Sequence, residues 1–173
     1  PATVYPPSED SYLLAQSVQG AKGKIAIDAG CGSGIQSLNL LFLGAAHVIA
    51  LDVNESALRA TEMNVKGAGF GGKIEARHSD LFSACPEKAD IIVFNPPYIE
   101  TAEQEGKRFA DLDGGKKGRE VLDRFLEQMP AHLNENGVCY FLQTDLNGYA
   151  QTEKMLKKTG FAFEIVARKK LFF

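Results

Sequence analysis

The chain has 173 residues, 45% of them apolar and 24% charged, which is the composition of an ordinary globular protein. Its length predicts a single domain, 1–173, which buries roughly 70% of its unfolded surface and needs no disulfide or metal to hold a core. The 19 basic and 22 acidic residues give a net charge of −3, which argues against a dedicated nucleic-acid binder, and no run approaches the ~20 apolar residues of a membrane span.

In the first half of the chain, short apolar runs alternate with helical patterns. Four strands are predicted, over residues 24–28, 47–52, 73–78 and 89–94. The first ends in a glycine-rich turn that opens a helix, and Asn54 is the expected N-cap of the helix after the second strand. The fourth is apolar along its whole length, which is typical of a central strand that is buried on both faces of a parallel sheet.

The second half begins with residues 99–118, which hold four glycines and show neither a helical nor a strand period. Loops of this length are usually functional or disordered, and we expect an active-site loop here. Two helices are predicted after it, over 119–133 and 149–158, with Gly160 as the C-cap of the second. Two strands are predicted over 137–143 and 161–167, and residues 171–173 begin a last strand that is incomplete.

The alternation of strands and helices predicts βαβ units. We therefore expect an α/β domain of the Rossmann-like, doubly wound kind, with a mostly parallel sheet of about seven strands and helices on both faces. Ligands of such sheets bind at the carboxyl ends of the strands. The residues to consider for function follow the predicted strands, at 28–34, 52, 80 and 95–98.

Three cysteines, Cys31, Cys85 and Cys139, lie far apart, in an odd number and without the spacing of metal ligands. They indicate reduced thiols in a cytoplasmic protein and no metal site. The N-terminal residues show neither the basic nor the apolar region of a signal peptide.

The turn after the first strand has the spacing G-x-G-x-G at Gly30, Gly32 and Gly34, and Asp28 precedes it. The dinucleotide fingerprint is G-x-G-x-x-G, and it places a pyrophosphate on the helix N-terminus, where the carboxylate of Asp28 would repel it. Asp28 suits a cationic ligand instead, such as the ammonium group of an amino-acid moiety. The turn therefore argues against a nicotinamide enzyme, and a purely structural turn is the alternative.

Two further carboxylates end predicted strands. Asp52 lies 18 residues after Gly34, at the distance from which an acidic residue accepts hydrogen bonds from a ribose diol. Its alternative role, capping the next helix, is better filled by Asn54. Asp80 could accept a hydrogen bond from the exocyclic amine of an adenine, although a single loop carboxylate is more often simply solvated.

The sequence Asn95-Pro96-Pro97-Tyr98 is the most specific feature of the chain. The prolines fix φ and remove two backbone donors, which leaves the Asn95 side-chain oxygen and the Pro96 carbonyl as acceptors for the two hydrogens of an NH2 group. Tyr98 could stack on the flat group that carries this amine. An amide nitrogen is a poor nucleophile, so the rate would come from orientation and from acceptors that meet the developing positive charge.

The runs DAGCGSG, LDVN, SDLF and FNPPY, in this order, resemble class I S-adenosylmethionine-dependent methyltransferases that methylate planar nitrogens. The opening VYPPSEDSYLL and the run GGKKGREVLDRF are similar to the HemK family, and most of all to its short archaeal and eukaryotic branch. That branch methylates the side-chain amide nitrogen of the glutamine in the GGQ motif of peptide chain release factors. The resemblance covers nearly the whole chain, with an N-terminal motif and helix at 1–20.

The resemblance implies S-adenosylmethionine as the cofactor and S-adenosylhomocysteine as the product. It implies a cofactor site made of Ser11, Asp28, Gly30, Gly32, Gly34, Asp52, Asp80, Leu81 and Asn95. It implies that the catalytic residues holding the glutamine amide are Asn95, Pro96, Pro97 and Tyr98. It also implies a release factor as the substrate and a small zinc-binding activator subunit, bound along the edge strand 73–78.

Two other functions remain open at this level. An adenine or other nucleobase amino methyltransferase acting on DNA or RNA would use the same four-residue sequence, but a basic groove or a recognition domain would favour it, and the net charge is −3. A non-catalytic module that binds the cofactor is the second alternative, and the intact Asn-Pro-Pro-Tyr sequence argues against it. Neither alternative involves a membrane.

Overall fold

The computed structural model of the protein describes residues 4–98 and 118–170. In this part of the chain a five-stranded sheet runs in the order β3-β2-β1-β4-β5, and every neighbouring pair of strands is parallel. The strands are β1 (Ile25–Ala29), β2 (His47–Asp52), β3 (Ile74–His78), β4 (Ala89–Phe94) and β5 (Leu133–Phe141). The doubly wound parallel sheet predicted from the sequence is confirmed.

Five helices cover the two faces of the sheet. They are α1 (Glu9–Ser17), α2 (Ile35–Phe42), α3 (Glu55–Gly67), α4 (Glu120–His132) and α5 (Tyr149–Lys158). Strand side chains alternate between the faces, so that Val48 and Val93 pack with the helices α1 to α3, whereas Ile49 and Ile92 pack with α4 and α5. Each face therefore buries its own apolar core, and none of the described helices has the length and apolar content to cross a bilayer.

The strand order reverses between β1 and β4. From β1 the chain builds outward through β2 to β3 and then returns to place β4 on the other side of β1. The carboxyl ends of β1 and β4 therefore flank a crevice, which is where ligands of open α/β sheets bind. This topology brings the glycine-rich turn after β1 next to Asn95, which follows β4.

Several local predictions agree with the structure. Asn54 caps α3, because its side-chain Oδ1 accepts a hydrogen bond of 2.9 Å from the Ser56 N–H. The segment 73–78 forms the edge strand β3, as expected. There Arg77 reaches the carboxylates of Glu75 at 2.6 Å and Glu87 at 2.8 Å, and charged side chains of this kind protect an open edge from non-specific pairing.

Other predictions need correction. The segment 161–167 is not a strand: Phe161 and Phe163 pack on the core at alternate positions, but their backbone joins no ladder within the described residues, and a strand is stabilised by its ladder. The described sheet accordingly has five strands instead of about seven. β5 starts at Leu133, directly after α4, and ends at Phe141. Residues 99–117 of the predicted active-site loop and the predicted last strand at 171–173 lie outside the described residues.

Candidate active site at the carboxyl ends of β1, β2 and β4

A cleft of about 270 Å³ opens at the carboxyl edge of the sheet. Eight of the residues predicted to form the site line it together: Ser11, Gly30, Gly32, Asp52, Asp80, Leu81, Asn95 and Pro97. A second cavity, of about 340 Å³, lies between α1 and Tyr140 of β5 and contains none of the predicted residues. The residues that can carry chemistry therefore concentrate in the cleft at the strand ends.

Four predicted residues do not line this cleft. Asp28 is buried beneath the glycine turn, with 1% of its surface exposed. Gly34 packs against α3, where an added Cβ would come within 3.0 Å of the Thr61 backbone at a φ of 82°, so only glycine fits. Pro96 and Tyr98 lie beside the lining residues Asn95 and Pro97 and do not contribute to the wall themselves.

Asp52 shapes the glycine turn as well as lining the cleft. Its Oδ2 accepts a hydrogen bond of 2.9 Å from the Gly32 N–H, and its Oδ1 accepts one of 2.8 Å from the Asn54 N–H. The sequence predicted Asp52 for ligand binding alone, and the structure adds this scaffolding role. Each carboxylate oxygen can accept a second hydrogen bond, so Asp52 keeps acceptor capacity toward the cleft.

Asp28 is a buried carboxyl group with one satisfied oxygen. Oδ2 accepts hydrogen bonds from the Ser37 N–H at 2.9 Å and the Ser37 hydroxyl at 2.6 Å, whereas Oδ1 has no partner in the structure. Burial raises the pKa of Asp28 from 3.8 to about 7, against the lowering effect of the two bonds from Ser37. The ionised form is therefore costly in the absence of a cation.

This pKa predicts how stability depends on pH. Between about pH 4 and pH 7 the folded protein holds a proton on Asp28 that the unfolded chain has released, so the free energy of unfolding falls as pH rises through this window. The variant Asp28→Asn carries a neutral amide in place of this carboxyl group and has no proton to release there. Relative to this variant, the wild type should lose on the order of 2 kcal/mol between pH 5 and pH 7, measured by denaturant unfolding.

The matched control for this experiment is Asp90→Asn. Hydrogen bonds from Asn134 and the Ile25 N–H lower the pKa of Asp90, so the contribution of Asp90 to the free energy of unfolding changes only at lower pH. The difference in this free energy between the wild type and Asp90→Asn should therefore stay constant between pH 5 and pH 7. If the free energy of unfolding depended on pH in the same way in the wild type and in Asp28→Asn, Asp28 would not titrate between pH 5 and pH 7.

Asp80 and Leu81 line the same cleft as the glycine turn. Asp80 is half-exposed and pairs with Arg124 of α4 at 2.6 Å. Leu81 has a φ of 49°, which is strained for a residue with a branched side chain. The buried Ser79 supports this conformation, since its hydroxyl donates to the Leu81 carbonyl at 2.8 Å and accepts from the Ala84 N–H at 3.0 Å. Sequence reasoning quoted Ser79 and Arg124 only within the runs SDLF and GGKKGREVLDRF and gave neither of them a role.

Asn95 presents its side-chain oxygen without a partner. Its Nδ2 donates to Asp10 Oδ2 at 3.2 Å and reaches the Ser11 hydroxyl at 3.5 Å, while the buried Oδ1 accepts no hydrogen bond in the structure. A buried acceptor without a hydrogen bond raises the free energy of the folded protein. A ligand that donates a hydrogen bond to this acceptor removes that cost. Asn95 lines the cleft, so its Oδ1 is an acceptor that a donor entering the cleft beside it would satisfy.

Tyr98 is anchored at both ends. Its hydroxyl donates to Asp10 Oδ2 at 3.1 Å, and its carbonyl accepts from Asn147 Nδ2 at 3.2 Å. Burial, together with the negative charge of Asp10 and the neighbouring Tyr5, raises the pKa of Tyr98, so its hydroxyl stays protonated and remains a donor. The sequence pointed to Tyr98 but not to Asp10 or Asn147, which lie far from it along the chain.

Arg119 is a buried cation behind the site. Sequence reasoning singled out this residue only as part of the run GGKKGREVLDRF, which carries the family resemblance. Its guanidinium donates to the Asp123 carboxylate at 2.9 and 3.1 Å and to the carbonyls of Asn147 and Gly148. It also reaches the Thr152 hydroxyl at 3.2 Å. Arg119 therefore ties the start of α4 to the segment that carries Asn147, which in turn holds the carbonyl of Tyr98.

Comparison with known proteins identifies relatives along almost the whole chain. Residues 8–173 match the family model described as methyltransferase small domain. A Methanocaldococcus jannaschii protein named "Putative protein N5-glutamine methyltransferase MJ0928" is 40% identical over 172 residues, covering 97% of this chain and 86% of the relative. Methyltransferase HEMK2 of Homo sapiens is 30% identical, over 91% of this chain and 79% of the relative.

A release factor glutamine methyltransferase from Cereibacter sphaeroides is 33% identical, over 76% of this chain and 50% of the relative. Among solved structures, the ribosomal protein L11 methylase from Lactobacillus delbrueckii subsp. bulgaricus has a TM-score of 0.74 at 24% identity, covering 95% of this chain and 75% of that one. The 16S rRNA N2 methyltransferase RsmC from T. thermophilus, in complex with AdoMet and guanosine, has a TM-score of 0.70 at 22% identity, covering 89% of this chain and 38% of that one. These two structures establish a shared fold.

Proposed function

The chain belongs to the methyltransferase small domain family, and we propose that it moves a methyl group from S-adenosylmethionine to the side-chain amide nitrogen of a glutamine in a peptide chain release factor. The relative named HEMK2 and the two named as glutamine methyltransferases confirm the HemK resemblance. The latter two names support this activity. They do not favour the nucleobase alternative.

One observation in the structure carries the proposal. Asn95 directly follows the interior strand β4 and lines the cleft. Its Oδ1 is buried and has no hydrogen-bond partner among the described residues, and two prolines without N–H groups follow it. A primary amide is the group that matches such an acceptor, because its NH2 offers two donors. A carboxylate in the same position would meet oxygen with oxygen and be repelled.

The residues of the cleft also fit the proposed cofactor, which when bound supplies a methyl group on a positively charged sulfur. Asp52 keeps lone pairs for a ribose diol, and Leu81 is an apolar residue of the cleft lining that suits contact with a flat base. Asp28 lies below the turn with one unpartnered oxygen, so a cationic group above the turn would favour its ionised form.

The residues act mainly by positioning the substrate. The Asn95 oxygen accepts a hydrogen bond from one N–H of the glutamine amide and so holds the nitrogen in one orientation, which removes part of the entropic barrier. As the nitrogen gains positive charge, the acceptor already points at it and needs no reorganisation. No strong general base is required. Once the bond between the amide nitrogen and the methyl group has formed, the nitrogen carries a positive charge and can release one of its N–H protons to solvent.

The activator subunit remains a prediction that belongs to this proposal. Among the described strands, β3 lies at the edge of the sheet, and an edge strand of this kind could take a strand from a small zinc-binding partner. A cytoplasmic location likewise remains a prediction.

The test is methyl transfer from labelled S-adenosylmethionine, run with and without an activator subunit. The acceptors are a release factor, its variant with the GGQ glutamine replaced by alanine, and DNA and RNA oligonucleotides. We expect label on the release factor and none on the alanine variant. Label confined to the oligonucleotides would overturn the glutamine assignment in favour of a nucleobase methyltransferase.

A further inference from the structure

Asp10, the second residue of α1, is a buried carboxylate that touches the site. Only 3% of its surface is exposed, and within residues 4–98 and 118–170 no ion pair involves it. Its donors are neutral: the Ser11 N–H at 2.6 Å, the Ser11 hydroxyl at 3.2 Å, Asn95 Nδ2 at 3.2 Å and the Tyr98 hydroxyl at 3.1 Å. It therefore joins α1 to both polar side chains of the Asn-Pro-Pro-Tyr sequence.

An acidic residue in a first helical turn has a simple structural explanation, since it interacts favourably with the helix dipole. Glu9 meets that description: it precedes Asp10 in the same turn, its side chain is 62% exposed, and it pairs with Lys169 at 3.3 Å. Asp10 differs because its carboxylate is buried and its Oδ2 accepts hydrogen bonds from Asn95 and Tyr98. Stabilisation of α1 does not require these two contacts.

The contact with Asn95 has a chemical consequence. The two ends of an asparagine amide have nearly the same shape, but one end donates hydrogen bonds and the other accepts them. An ionised carboxylate only accepts, so the NH2 group of Asn95 must face Asp10. The Oδ1 atom is thereby turned away from Asp10, and it is the atom of this cleft-lining residue that has no hydrogen-bond partner among the described residues.

We propose that Asp10 is a positioning residue that fixes the amide of Asn95 with its oxygen toward the substrate, and that this makes the site select a primary amide over a carboxylate. The proposal rests on glutamine methylation being the reaction. It predicts that discrimination between a glutamine and a glutamate at the same position of the substrate depends on a residue on α1.

The variant Asp10→Asn tests this directly. Its new NH2 group must face either the Ser11 N–H, where two donors collide, or Asn95, whose oxygen then turns toward it and whose NH2 group enters the cleft. We expect kcat to fall by about 10²-fold, as on loss of one preorganised polar contact, with the Kd for S-adenosylmethionine unchanged within a few fold. Glu9→Gln, the adjacent matched change, should leave both values near the wild type.

A second measurement separates positioning from a general structural role. GGQ and GGE peptides are compared as competitive inhibitors of release-factor methylation. The wild type and Glu9→Gln should bind the GGQ peptide at least about tenfold more tightly, whereas Asp10→Asn should lose most of this preference because an NH2 group now faces the peptide. An unchanged preference in Asp10→Asn would overturn the proposal.

The exchanged double variant Asp10→Asn with Asn95→Asp keeps the test decisive where the single variant folds poorly. The donor then stands at position 10 and the acceptor at position 95, so an oxygen again faces the cleft. We expect it to regain the preference for the GGQ peptide and at least about tenfold of the rate lost in Asp10→Asn. Failure to regain either would contradict the positioning role. Absence of glutamine methylation by the wild type would instead overturn the proposed function, and this inference with it.

Discussion

Replacing Asn95 by alanine is expected to lower kcat for glutamine methylation by at least about 10²–10³-fold, the scale of losing a preorganised polar group that meets transition-state charge. The Oδ1 atom of Asn95 is an acceptor without a partner among the described residues, and the described polar neighbours Asp10 and Ser11 contact its Nδ2 instead. Affinity for S-adenosylmethionine should change by no more than a few fold, because the lost contact serves the substrate.

Single-turnover methylation and calorimetric binding of the cofactor measure the two effects separately. Asn39→Ala is the matched control, since Asn39 also donates from its Nδ2 atom, to the Ala15 carbonyl at 2.8 Å, but lies outside the cleft. Its kcat should stay near the wild type. An Asn95→Ala enzyme that keeps its turnover would remove Asn95 from the catalytic residues.

Replacing Asp52 by alanine should weaken binding of S-adenosylmethionine by about 1.5–3 kcal/mol, the scale of hydrogen bonds to a charged acceptor. This corresponds to an increase in Kd of about 10- to 150-fold. Two causes act together: the cleft loses a carboxylate acceptor, and Gly32 and Asn54 lose the acceptor of their backbone N–H groups. The glycine turn is then no longer held in its binding conformation.

Calorimetric titration of each variant with S-adenosylmethionine measures this change. Asp90→Ala is the matched control, because Asp90 also accepts from a backbone N–H, that of Ile25 at 3.1 Å, and from Asn134 at 2.9 Å, but lies outside the cleft. Its cofactor affinity should stay close to the wild type. Unchanged affinity in Asp52→Ala would exclude Asp52 from the cofactor site.

The strands and caps of the first half of the chain could be predicted because their causes are local. β2 and β4 match the predicted ranges residue for residue, and Asn54 caps α3 as expected. The segment 161–167 shows the limit of this reasoning. Its alternation of apolar residues is real, and Phe161 and Phe163 use it to pack on the core, but a strand also needs a neighbour, which the pattern of one segment does not reveal.

In the candidate site, too, some features could be predicted from the sequence and others could not. Asp52, Asp80 and Asn95 could be found from the sequence because each lies at or just after the end of a strand, and the carboxyl ends of parallel strands meet at one edge. Asp28 also lies near a strand end, yet it sits under the turn with its surface buried. A position in the sequence predicts which edge a residue reaches but not how deep its side chain lies.

By itself, the sequence determined the class of fold, the edge at which ligands are expected to bind and the residue types that suit a planar amide, because these follow from spacing and from the chemistry of short runs. The tertiary structure alone decided how those side chains are held. Asp10 and Asn95 are 85 residues apart, and Arg119 reaches the carbonyl of Asn147 from 28 residues away. Contacts across such separations form only when helices pack on the sheet, so no local pattern specifies which oxygen of the site is left free for a substrate.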